Sequence, residues 1–384
     1  MTTAPSPGPL SGIRVADFSR VLAGPYATML MADLGADVIK IEPPQGDDTR
    51  QWLPPVDDTG RATYFASANR NKRSIRLDLR QEEDLAHARA LATSADVVVE
   101  NFRPGVMARF GLDHETVSRT NPRVVSCSVT GFGSGAGAAL PGYDLLVQAM
   151  GGLMSITGAP DGEPSKVGVA VVDVVTGLHA FGAVQAALLE RTRSGQGQHV
   201  EVSLLTSLLS ALVNQASSTV ATGVSPARTG NAHPSLTPYE PLPTGDGDLV
   251  LTVGNDRQFQ RLSTVLGAPG LATDQRFATN IARVQHRDEL RVELIRLLAT
   301  RPATDWAAEL VAVGVPAGPI NTIGEAISFA ESLGLDPVVE TRSGSRVSRQ
   351  VANPMSFSRT PASYRLAPPD LDEHRGAWWE DREE

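Results

Sequence analysis

From residue 13 onward the chain alternates short apolar runs with helical spacing, and that alternation restricts it to one class of architecture. Residues 13–18 read as a strand, Gly24-Pro25 opens a helix from about Tyr26 to Leu34, and Gly35 supplies its stop. Residues 36–42 form the next strand, closed by Pro43-Pro44, and the theme repeats with a strand at 74–79, a helix at 81–94 and a strand at 95–100. Strands separated by helices predict an α/β fold: a parallel sheet with helices on both faces. Two more strands are expected at 124–129 and 199–203, the second running into a long helix over 204–220. Residues 167–172 read as a buried extended run, followed by a helix over 174–191 with apolar spacing at Leu178, Phe181, Val184, Leu188 and Leu189.

At 384 residues the chain is long enough for two domains. Residues 1–222 are expected to form the large α/β domain, and 223–247, changing to Ser, Thr, Pro and Gly, a linker. Residues 248–325 are expected as a smaller α+β domain with helices near 256–266, 287–298 and 304–313, leaving a C-terminal segment at 326–384. With 34 Lys plus Arg against 43 Asp plus Glu, the net charge of −9 argues against nucleic acid or an anionic membrane as partner. The first nine residues lack the charged and apolar regions of a secretion signal, so a cytoplasmic location is expected. The single Cys127 lies in a strand pattern and reads as core, and no His or Cys cluster has metal-site spacing, so no metal is expected.

The residues that carry chemistry lie at 70–73 and between 101 and 177. Asp173 stands where an extended run meets a long apolar helix, and the free N–H groups of that helix would hold it as a carboxylate, ready to attack an activated carbonyl. A plain helix cap explains the same residue equally well. Tyr143 and Asp144 open another apolar helical run, with the same two readings for Asp144. Two carboxylates brought together would split in pKa, but the spacing does not say whether Asp144 approaches Asp173. Gly131-Phe132-Gly133-Ser134-Gly135-Ala136 spells a dinucleotide fingerprint, yet it comes late in the sheet and breaks before a helix, which suits a loop over a site better. Arg70-Asn71-Lys72-Arg73 and the segment from Asn101 through Phe102 and Arg103 to Arg109 offer positive charge, and an aromatic ring able to stack on a purine, near strand ends.

These residues together resemble family III CoA-transferases, the formyl-CoA and carnitine CoA-transferase group. The likeness rests on Asp17-Phe18-Ser19-Arg20-Val21-Leu22-Ala23-Gly24-Pro25, the stretch from Gly35 to Glu42, Asn71-Lys72-Arg73-Ser74, Glu100-Asn101-Phe102-Arg103-Pro104-Gly105, Gly142-Tyr143-Asp144 and Gly254-Asn255-Asp256. It implies Asp173 as catalytic aspartate, with Asp144 and Tyr143 beside it, and Asn71, Lys72, Asn101, Phe102 and Arg109 at coenzyme A-contacting positions. It also implies an interlocked, ring-like homodimer, a Rossmann-like large domain that binds CoA, and a C-terminal segment returning to that domain. No cofactor would be permanently bound; coenzyme A enters as acyl-CoA, with a carboxylic acid as second substrate. The implied chemistry runs through an acyl-aspartyl anhydride and an aspartyl-CoA thioester. Leu22 and Pro141 replace polar or basic residues of the formyl-CoA branch and its run of four glycines is absent, which argues against oxalate and formate. Succinyl-CoA is the preferred donor, with dicarboxylic, branched and aromatic acids open. Two alternatives are an α-methylacyl-CoA racemase, whose base histidine is Tyr143 here, and a non-catalytic acyl-CoA-binding paralogue.

Overall fold

The computed structural model describes residues 8–380, and the chain divides into two compact units. The first unit, up to residue 153 and again over 167–224, begins with β1 (Arg14–Asp17), α1 (Ala23–Asp33), β2 (Asp37–Glu42), α2 (Thr63–Ala66), β3 (Lys72–Arg76) and α3 (Glu82–Ser94). It continues with β4 (Val97–Glu100), α4 (Val106–Arg109), α5 (His114–Thr120), β5 (Val125–Thr130) and α6 (Asp144–Met150). The short α7 (Leu153–Ile156) precedes α8 (Val171–Ser194), β6 (His199–Ser203), α9 (Leu204–Ala211) and α10 (Val213–Thr222). The second unit holds residues 154–166 and 225–334. There β7 (Tyr239–Pro243), β8 (Asp248–Thr252) and, after α11 (Asp256–Val265), α12 (Asn280–Gln285), α13 (Arg287–Leu298) and α14 (Ala303–Ala312), β9 (Ala317–Pro319) form an antiparallel sheet; α15 (Ile323–Ser332) follows. From residue 335 the chain belongs to the first unit again, with the hairpin β10 (Val338–Ser343) and β11 (Arg346–Val351).

All six strands of the main sheet are parallel, in the order β3-β2-β1-β4-β5-β6. Successive side chains leave a strand on opposite faces, and here both faces are covered. Val15, Val38, Val97, Val99, Val125 and Val129 pack on one face against Ala27 and Met31 of α1 and Ala180 and Val184 of α8. Ala16, Ile39, Ile75 and Val98 meet Ala88, Leu91 and Ala92 of α3 on the other, with Trp379 from the C-terminal segment, whose indole N–H donates to Ser94 Oγ. Among the described residues only α8 is long and apolar enough to cross a membrane, and it is the core helix of this unit, in contact with α1, α9, β5 and β6.

Several boundaries differ from the sequence reading. The run at 167–172 is no strand: 167–170 are irregular and the helix begins at Val171, so Asp173 lies inside its first turn. The helix expected over 204–220 is two helices, broken where Val213 takes a φ of 39°. Within the stretch read as a linker, β7 pairs with β8.

Candidate active site

The strand order reverses between β1 and β4, and an open α/β sheet leaves its ligand crevice there, beyond the carboxyl ends of the strands. Two loops meet at that point. The Asn101 side chain joins them: its carbonyl oxygen accepts from the Arg20 N–H at 2.9 Å and its NH2 donates to the Arg20 carbonyl at 2.7 Å. The Arg20 guanidinium lies over the Phe102 ring, 5.4 Å from its centroid. A third wall is the glycine-rich loop after β5. Gly131 and Gly142 face each other so closely that a Cβ on either would come within about 2.6 Å of the other's Cα, so the loop folds back on itself and no helix starts before Asp144. That is not the geometry of a pyrophosphate-binding turn. Arg20, Leu22, Asn101, Phe102, Arg103, Leu140, Tyr143 and Asp173 line the resulting pocket.

Asp173 reaches it from the first turn of α8. Gly177, one turn further on, permits this: a Cβ there would meet the Ala23 carbonyl oxygen at 2.7 Å and the Tyr26 ring at 3.2 Å, so α8 rests directly on the start of α1. The helix has no side-chain cap of its own, since Ala170 holds the cap position. Asp144, the first residue of α6, does that work from outside. Its Oδ1 accepts from the Val172 N–H at 2.8 Å and the Asp173 N–H at 3.2 Å, while its Oδ2 accepts from Gln148 Nε2 at 2.6 Å. Gln148 in turn accepts from the Val167 N–H at 2.9 Å, tying the irregular segment to α6.

Asp173 is therefore not the cap of its helix: the capping carboxylate is Asp144, and Asp173 lines the pocket. Its protonation also differs from expectation. A helix N-terminus favours the ionised form, but burial and the neighbouring Asp144 charge push the Asp173 carboxyl up to about 7. At neutral pH it is poised between acid and carboxylate. Tyr64, from α2, is pushed up to about 12 by burial and by the carboxylates of Asp173, Asp144 and Asp47, and so stays a protonated donor.

Of the residues singled out in the sequence, Asn101, Phe102, Tyr143 and Asp173 line one pocket and Asp144 supports it. Tyr143 is exposed. Arg109, at the end of α4, is exposed and outside the pocket lining. Asn71 and Lys72 depart furthest from the coenzyme-contact reading, because both are buried and committed to internal partners. Lys72 Nζ donates to Asp17 Oδ2 at 3.0 Å, the Pro25 carbonyl at 2.9 Å and Asn69 Oδ1 at 3.0 Å. Asn71 donates to Asp33 and the Ser363 carbonyl and accepts from the Arg365 and Leu366 N–H groups, holding the C-terminal segment. An ammonium with no exposed surface cannot meet a ligand phosphate. Residues the sequence reading passed over are Tyr64, whose nearness to Asp173 no local pattern announces, and Arg20, which a basic residue just after the first strand could have suggested.

Residues 10–375 match the model of CoA-transferase family III. The chain is 46% identical over 376 residues to a succinate–glutarate CoA-transferase of Agrobacterium fabrum, covering 96% of this chain and 94% of that one. It is 40% identical to the succinyl-CoA:glutarate CoA-transferase of Mus musculus, covering 95% of this chain and 84% of the other. Among solved structures, a CAIB/BAIF family protein from Brucella suis superposes with a TM-score of 0.85 at 43% identity, over 96% of this chain and 98% of that one. Matching over nearly its whole length in sequence and in fold, the chain belongs to CoA-transferase family III and is an acyl-CoA:carboxylate CoA-transferase.

Proposed function

We propose that the protein moves coenzyme A from succinyl-CoA to a free dicarboxylic acid of glutarate size, with Asp173 as the covalent carrier. The observation that carries the mechanism is a carboxylate lining a crevice from a helix start whose N–H groups are held by a second carboxylate. An Asp173 oxygen attacks the thioester carbonyl, the C–S bond breaks, and the CoA thiolate leaves an acyl-aspartyl anhydride. The thiolate then attacks the Asp173 carbonyl carbon, the donor acid departs as carboxylate, and an aspartyl-CoA thioester remains. The incoming carboxylate attacks that thioester carbon and expels thiolate, which takes the new acyl group and returns Asp173 to its free form. Each intermediate keeps the activation of the thioester as long as water is kept out. The substrate assignment is supported by the relatives' names. The pocket's cations, Arg20 and Arg103, suit an anionic substrate.

The racemase alternative gains nothing from the site: among the described residues lining the pocket there is Tyr143 and no histidine. We also propose an interlocked homodimer as the working form. In the first unit, Leu178 and Leu189 of α8, Leu209 of α9 and Val213 and Val220 of α10 are all exposed in the single chain, an apolar burden that a second copy would relieve.

The test is peptide mass spectrometry after mixing the enzyme with succinyl-CoA and trapping activated aspartate with hydroxylamine. A mass change on the peptide bearing Asp173, absent in Asp173→Ala, is expected; turnover with no adduct on Asp173 would refute the carrier role.

A further inference from the structure

The pocket that Asp173 lines has a strained residue in its wall. Val21 has a φ of +70°, a left-handed conformation that a β-branched side chain rarely adopts. It lies in the elbow between β1 and α1, and Arg20, Val21, Leu22 and Ala23 all line the crevice. The turn is tight: a Cβ on Gly24 would overlap the Ser19 side chain.

Side chains hold the elbow residue by residue. The Ser19 N–H donates to Asp17 Oδ1 at 3.0 Å, and the Ser19 carbonyl accepts from Lys40 Nζ at 2.9 Å. Arg20 is held at both its N–H and its carbonyl by Asn101. The Val21 N–H donates to the Asp47 carboxylate at 3.2 and 3.3 Å. Lys40 and Asp47 form an ion pair of 2.9 Å with no exposed side-chain surface on either partner. Asp47 also accepts from the Thr49 N–H and hydroxyl, and its own N–H donates to Glu42. The charge and hydrogen bonds of Lys40, together with those from Thr49, outweigh burial and hold the Asp47 carboxyl down at about 2, so the acceptor stays charged at every working pH.

We propose that the buried Lys40–Asp47 pair is a positioning device for the transfer reaction: it keeps Val21 in its strained form and so fixes the wall against which the thioester is presented to Asp173. Neither residue lines the pocket; both act through the elbow. Displacing that wall changes how the reacting carbonyl is held more than whether acyl-CoA binds, because attack geometry is lost over about 1 Å.

Asp47→Asn keeps the shape and one acceptor but withdraws the charge. Its kcat is expected to fall about tenfold with KM for acyl-CoA within about threefold, and the peptide covering residues 19–22 to exchange its amide hydrogens faster. Adding Val21→Gly, which adopts φ +70° without strain, is expected to recover at least about threefold of the loss. A folded Asp47→Asn with wild-type kcat, a loss that Val21→Gly leaves untouched, or unchanged exchange at the elbow would overturn the proposal. If Asp47→Asn fails to fold, Lys40→Met/Asp47→Asn leaves no uncompensated lysine and takes its place in the same comparison. The inference rests on the Asp173 reading, and adduct mapping on the wild-type enzyme tests that reading separately. An adduct elsewhere would end it, while the exchange rates would still judge the clamp.

Discussion

Asp17 and Asp47 on one side and Asp173 on the other are enclosed carboxylates within the same unit, and they ionise in opposite ways. Asp17 has no exposed surface, and burial by itself pushes its carboxyl up; Lys72 and Lys40, with the Ser19 and Thr28 hydroxyls, bring it below its ordinary value. Asp47 is held at about 2 in the same manner. Asp173 is raised to about 7 because burial pushes it up, the neighbouring carboxylate of Asp144 adds to that, and no cation offsets them. Burial raises all three carboxyls, and what separates them is whether cations and hydrogen-bond donors offset it. The paired carboxylates belong to the frame, and the uncompensated one lines the pocket.

Removing the unpaired carboxylate should have the largest effect on function. Asp173→Ala is expected to lower kcat/KM for CoA transfer by about a thousandfold or more while leaving acyl-CoA binding measurable by calorimetry. Removing a compensating charge should have the largest effect on the frame. Lys72→Met leaves Asp17 buried without its ion partner and is expected to destabilise the fold by about 3–5 kcal/mol, read from urea denaturation. The comparison is sharpened by Asp144→Asn, which withdraws the like charge. The acid limb of kcat/KM should move down by about one pH unit, with kcat about tenfold lower because the start of α8 loses a charged acceptor.

The smallest expected effect has the opposite sign from the frame. A raised carboxyl pKa means that the folded state holds the proton more tightly than the unfolded chain, so Asp173 costs stability increasingly as pH rises from about 4 to about 7, and the full cost persists above. Asp173→Asn should therefore raise Tm at pH 8 by about 3 °C or more, with a smaller gain at pH 5. Asp47, whose pKa is lowered, stabilises the fold above about pH 4 and loses that contribution only as pH falls toward 2.

Much of the frame is legible in the sequence because local rules agree there. The apolar strand between Gly35 and Pro43, the helix over 82–94 and the strand ending at Ser203 all lie close to where periodicity and terminators put them. The rest fails for identifiable reasons. Residues 167–172 mimic a strand because a short apolar run does not distinguish a strand from a helix start. Lys72 resembles a ligand contact because a basic residue beside a turn shows its charge but not its partner, and that partner, Asp17, lies 55 residues away. Within the site, Asp173 could be named from local pattern and family likeness. Its relation to Asp144 across 29 residues, and the clamp on Val21, exist only once the sheet has brought β1, β2 and β4 side by side.

The most direct test is the pH dependence of adduct formation on Asp173 in a single turnover at subsaturating succinyl-CoA. The rate should rise with a midpoint near pH 7 in the wild type and at lower pH in Asp144→Asn, with the adduct on Asp173 in both. A rate that is flat down to pH 5, or a midpoint that Asp144→Asn does not lower, would contradict the claim that burial and an uncompensated neighbouring carboxylate together set the poise of Asp173.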